Sequence, residues 1–170
     1  MNKREIIAAL QSTITEFQEL ISAFDEAELN NIPFEGSWTA GQVAQHIIMA
    51  NSGFGEVLNG PVTETKRIPD ELCGKLKEDF LNFNIKMESP DFIIPKYKAY
   101  NKKRLLNALE EIKNDIAKAI IDIDLTQTCL AFELPVYGHL TRFEAVCFVI
   151  YHTQRHAHQV RNIKDHFNMN

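Results

Sequence analysis

Residues 140–167 read LTRFEAVCFVIYHTQRHAHQVRNIKDHF. Thr141 offers a side-chain oxygen just before a helix, and Glu144, three positions on, can return its carboxylate to the Thr141 amide, the reciprocal arrangement of a capping box. Beyond that start, Val149, His152, His156, Val160, Ile163 and Phe167 recur at steps of three and four, the spacing that lines one face of an α-helix. This is one long helix, D, running to about Phe167, and two histidines stand inside its apolar stripe.

The same rhythm recurs upstream. From Lys3 to about Phe24, Ile6, Leu10, Ile14, Phe17, Leu20, Ile21 and Phe24 define helix A. After the Pro33 turn, Thr39 and Gln42 form a second capping box, with Trp38 and Val43 placed as a hydrophobic staple across it. Helix B is predicted from Ala40 to about Leu58, turning Val43, Ile47, Ala50, Phe54 and Val57 inward. Helix C runs from about Tyr100 to Ile123 on Leu105, Leu109, Ile112, Ile116, Ile120 and Ile123.

Between B and C, the segment from Asn59 to about Lys98 holds Pro61, Pro69, Pro90 and Pro95 and reads as a long crossover with a short helix around Glu71 to Phe83. Leu125 to Gly138, rich in Thr, aromatic and β-branched residues, is predicted to be extended or irregular. The expected fold is all-α: one four-helix-bundle domain over residues 1–170, with one long crossover connection between helices B and C.

Composition narrows the function classes. With 45% apolar residues among 170, the chain can bury a core without disulfides or a structural metal. The net charge is -5 and Lys and Arg are scattered rather than gathered in a stripe, so nucleic acid is not an expected partner. Cys73, Cys129 and Cys147 are odd in number, far apart and without a Cys-x-x-Cys pair, which reads as reduced thiols. The opening MNKREIIAAL lacks the apolar core of a secretory signal, and no stretch is apolar for long enough to span a bilayer, so the expected location is cytoplasmic, off the membrane.

His152 and His156 are four apart, about 40° and one turn from each other on the helix surface, so both rings can grip one ion. His46, between Val43 and Ala50 on helix B, also faces the interior or its margin. Three buried imidazoles with unpaired nitrogens would each cost on the order of 1–3 kcal/mol unless something bridges them. A divalent ion does so, and three protein nitrogens leave one ligand position open. His158 projects away, about 200° around the helix from His156, while His139 precedes the helix D cap and His166 lies some 15 Å further along the axis.

The segments Ser37-Trp38-Thr39, Gln42-Val43-Ala44-Gln45-His46-Ile47 and Tyr151-His152-Thr153-Gln154-Arg155-His156-Ala157-His158-Gln159-Val160 resemble the DinB-like superfamily of damage-inducible bacterial proteins, which includes YfiT-like metal-dependent hydrolases and thiol transferases. The resemblance implies a four-helix bundle holding a zinc, nickel or iron ion on three histidines at one end of the core, often in a homodimer. It also implies a metal that activates a low-molecular-weight thiol or a water.

Two readings of function follow. The first is a metal-dependent enzyme of the thiol-transferase or hydrolase class, with the ion on His46, His152 and His156 and a small-molecule substrate. The alternative is a non-catalytic metal- or small-molecule-binding stress-response protein; weaker still is an interaction module with structural histidines. Glu144 is a catalytic candidate for proton transfer besides its capping role, Gln159 and Asn51 are candidate supporting donors, and Phe34, Phe54, Phe80, Phe83 and Phe92 serve either a pocket or the core.

Overall fold

Asn2 starts the first helix in the computed structural model, which describes residues 1–169. Its side chain accepts from Glu5 N at 3.0 Å while the Glu5 carboxylate accepts from Asn2 N at 2.8 Å, and α1 (Lys3–Ser22) follows, burying Ile6, Leu10, Ile14, Phe17 and Ile21. A five-residue helix that periodicity does not reveal, α2 (Glu26–Asn30), follows the same logic on Asp25 and Glu28.

The Thr39 and Gln42 capping box forms as the sequence indicates. The unbroken helix B expected from Ala40 to about Leu58 does not. It ends as α3 (Ala40–Asn51) and restarts as α4 (Phe54–Asn59). Ser52 closes α3 by donating from Oγ to Ile48 O at 2.6 Å, and Gly53 then takes φ +88°, a left-handed value that glycine adopts freely at a helix end. The break re-aims the chain without exposing it, since Phe54 and Leu58 stay buried.

Between α4 and the next long helix the chain forms β1 (Val62–Thr63), α5 (Cys73–Phe80) and a 3-10 turn, Asp91–Ile93. Asn101 caps α6 (Lys102–Asp122), accepting from Arg104 N at 3.0 Å. The segment expected to be extended or irregular becomes a hairpin, β2 (Thr128–Leu134) and β3 (Gly138–Thr141). Antiparallel pairing of Val62 with Cys129 and Thr63 with Thr128 completes a three-stranded sheet in the order β1-β2-β3. β3 leads straight into α7 (Arg142–Met169).

The long helices α1, α3 with α4, α6 and α7 make a four-helix bundle. α1 packs on α6 and α7, and α3 packs on the same two from the other side, so the ring runs α1, α6, α3, α7. The first half of α7 is buried on all sides, Arg142 through Ile150, because α5 and β3 also lie against it. Among the described residues no helix is long and apolar enough to cross a membrane.

Glu144 locks this arrangement. Its fully buried carboxylate completes the capping box with Thr141 N at 2.9 Å, accepts from Leu72 N at 2.8 Å, and receives the Arg67 guanidinium in a two-pronged ion pair at 2.5 and 2.6 Å. Breaking a fully buried pair leaves an uncompensated charge and costs about 3–5 kcal/mol. Arg67 is 28% exposed, which lets water take part of that charge back. Glu144→Ala is therefore expected to lower the unfolding free energy by about 2–4 kcal/mol in denaturant titration, whereas a loss below about 0.5 kcal/mol would mean the tie contributes nothing to the fold.

Candidate metal centre

α7 supplies two imidazoles one turn apart and α3 supplies the third. His152 Nε2 lies 3.2 Å from His46 Nε2 and 3.1 Å from His156 Nε2. The three rings are 1%, 7% and 9% exposed for His46, His152 and His156 respectively. Tetrahedral nitrogen ligands at about 2.0–2.1 Å from one ion stand roughly 3.3 Å apart, so the observed spacing suits a shared divalent cation. Among the described residues this is the one group of histidine, cysteine or carboxylate side chains drawn together closely enough to hold a metal ion.

The outer nitrogens decide what faces inward. His46 Nδ1 is 2.9 Å from Ile93 O, and a carbonyl only accepts, so Nδ1 carries the proton and a neutral His46 presents a bare Nε2. His156 Nδ1 is likewise 2.8 Å from Gln159 Oε1, which leaves its Nε2 bare too. His152 Nε2 can donate to only one of these lone pairs, and its buried Nδ1 has no partner in either tautomer. Without an ion this cluster retains an unsatisfied polar atom and opposed lone pairs; a cation relieves the opposed lone pairs.

Apolar walls surround the nitrogens. Phe148, four residues before His152, stacks on its ring at 5.3 Å and 9°, and Phe80 of α5 meets it edge-on at 5.8 Å. Trp38 covers His46 with ring centroids 5.2 Å apart. Burial holds the pKa of His46 below the ordinary imidazole value and that of His152 well below it, the latter pushed further by its neighbouring imidazoles and Arg155. His156 is lowered to about 3, again chiefly by burial. All three are thus neutral, the form that binds metal.

The other candidates go elsewhere. Glu144 sits at the start of α7 with both oxygens engaged by Arg67, Leu72 and Thr141, not by the imidazoles. Gln159 does support the triad, while Asn51 reaches Thr153 Oγ1 at 3.2 Å. His139 bonds Phe132 O, His158 stacks on Phe83, and His166 lies edge-on to Phe34. Phe54 and Phe80 are core, whereas Phe34, Phe83 and Phe92 are exposed. Ile93 O was invisible to sequence reasoning because a backbone carbonyl leaves no residue signature; Phe148 was missed, although its four-residue spacing to His152 could have pointed to it.

Fold and site together define a four-helix-bundle protein with a buried trihistidine cluster. The family model of the DinB superfamily matches residues 9–160, and the chain belongs to that superfamily. Two solved structures share the fold. A four-helix bundle protein, TT2238, is 17% identical at a TM-score of 0.61, covering 95% of this chain and 99% of its own. YfiT from Bacillus subtilis, described as a probable metal-dependent hydrolase with an unusual four-helix bundle topology, is 14% identical at a TM-score of 0.63, covering 98% of this chain and 87% of its own. Among curated protein sequences there is no significant match.

The lowered imidazole pKa values set a pH dependence. An imidazole ordinarily at 6.5 but held at about 3 in the fold is protonated first in the unfolded chain, so between those values the unfolded state binds more protons and stability falls as pH drops. For the metal-free protein, His156 alone is expected to take on the order of 2 kcal/mol from the unfolding free energy between about pH 7 and pH 5. Urea titrations at the two pH values check this, and His156→Gln should remove that share of the dependence while His152 keeps its own. Equal stability at both would contradict the buried neutral triad.

Proposed function

We propose that the protein is a divalent-metal enzyme of the hydrolase or thiol-transferase class, with His46, His152 and His156 as the metal ligands. The observation that carries this reading is the convergence of three Nε2 atoms, two of them turned inward as bare lone pairs by Ile93 O and Gln159. Imidazole ligands suit zinc, nickel or iron. Bound there, such an ion supplies Lewis acidity toward a water or a thiol, because three protein ligands leave a coordination position free.

The chain's own contribution is orientation and dryness. Ile93 O and Gln159 fix two ring tautomers, and Phe80, Phe148 and Trp38 keep bulk water from the nitrogens. At 7% and 9% exposure, His152 and His156 are too enclosed to meet a polymer, which favours a small-molecule substrate. The description of YfiT as a probable metal-dependent hydrolase favours the same class.

Protein purified without chelator or affinity tag is expected to carry about one divalent ion per chain, and the triple alanine variant at His46, His152 and His156 none. Gln159→Leu should retain the fold and weaken metal affinity by about 10–100-fold. Turnover of ester substrates, or of low-molecular-weight thiols with electrophilic acceptors, should appear with the ion and vanish with the triad. Equal metal content in wild type and triple variant would end the reading, and a bound ion without any turnover would make the protein a binder.

A further inference from the structure

Two cysteines that sequence places far apart meet beside the cover of the site. Cys73 is the first residue of α5 and Cys147 lies on α7, 74 positions away, yet their sulfurs are 3.0 Å apart with the Cys73 thiol donating to Cys147 Sγ. Both are free thiols. Cys147 is 1% exposed, whereas Cys73 is half-buried and is the more open of the two. The third cysteine, Cys129, is buried on β2 and pairs through its backbone with β1. The 3.0 Å separation is within about 1 Å of the roughly 2.05 Å of a disulfide bond.

We propose that Cys73 and Cys147 form a dithiol–disulfide couple, a modification site whose reactant is a low-molecular-weight disulfide. The Cys73 thiol loses its proton, and its thiolate attacks one sulfur of the reagent, forming a mixed disulfide and expelling one reagent thiolate. Cys147 then loses its proton and attacks Cys73 Sγ, expelling the second. Two cysteine thiols are oxidised by two electrons, one reagent disulfide is reduced, and the two protons leave on two reagent thiols. The hydrogen bond to Cys147 and burial push the Cys73 thiol up, which lowers its thiolate fraction and makes the exchange slow.

The bridge has a structural consequence. α5 packs along α7, and its last residue, Phe80, is the edge that covers His152. Oxidation ties the first residue of α5 to the helix bearing two of the three imidazoles and so holds that cover closed. The couple rests on the sulfur geometry alone, and its test is separate from metal content.

Native protein treated with oxidised glutathione should lose two of its three free thiols and about 2 Da of mass, with a peptide map joining Cys73 to Cys147. Dithiothreitol should reverse the change. Cys129→Ser should behave as wild type, and Cys147→Ser should stop at a glutathione adduct on Cys73. Amide exchange along α5 should slow in the bridged form. Retention of all three thiols, a stable glutathione adduct on wild-type Cys73, or a bridge that includes Cys129 would each overturn the proposal.

Discussion

A backbone carbonyl cannot donate a hydrogen bond, and that restriction at Ile93 governs the interior of this bundle. By accepting a hydrogen bond from His46 Nδ1–H, Ile93 O leaves a bare Nε2 facing His152 and His156. The carbonyl must therefore be delivered to α3 from the crossover, and the rest of the chain holds it there. Arg67 and Leu72 are fastened to Glu144 at the start of α7. Arg155 holds the next stretch through the carbonyls of Phe80, Asn82 and Ile85. Gln42, having completed its capping box, also donates to Pro95 O at 3.3 Å. The long connection is thus a polar-tied wall of the site.

Energetically the site runs against the core that contains it. Most buried side chains in the cluster around α1, α3, α6 and α7 are aliphatic or aromatic and gain from leaving water. Three imidazoles at the same depth do not, and the unpartnered Nδ1 of His152 remains as a cost in either tautomer. A fold selected for stability alone would put leucine or phenylalanine on those positions of the stripe. The bare Nε2 atoms of His46 and His156, both turned on His152 Nε2, are where a cation would supply the missing interaction, while His152 Nδ1 stays unpaired.

Sequence made the bundle legible because amphipathic helices announce themselves locally. The stripes of α1, α6 and α7 and the reciprocal caps at Thr39 and Thr141 needed no tertiary information. His46, His152 and His156 were legible for the same reason, lying on inward faces. The break at Ser52-Gly53 carried a local signal too, glycine at a helix end, but the apolar rhythm through Phe54 and Val57 masked it. The sheet showed only in part: Leu125 to Gly138 read as extended or irregular, but its pairing with β1 joins Val62 to Cys129, 67 positions apart, and two residues of strand leave no period to read. Nothing local brings Cys73 to Cys147 or Ile93 to His46, and only the folded crossover does so.

At about 100° per residue, α7 divides into two opposed sides. Glu144, Cys147, Phe148, His152, Arg155, His156 and Gln159 fall on one, and Val146, Ile150, Thr153 and Ala157 on the other. The second side is uniformly buried, while Gln154 and Arg161 at its edge reach Thr13 and Glu16 of α1. The first carries every polar tie to the crossover and two of the three imidazoles. One helix therefore sets both the placement of two imidazoles and the position of the segment that covers them. A change that shifts the crossover at one turn of α7 must move the surroundings of the nitrogens at the next.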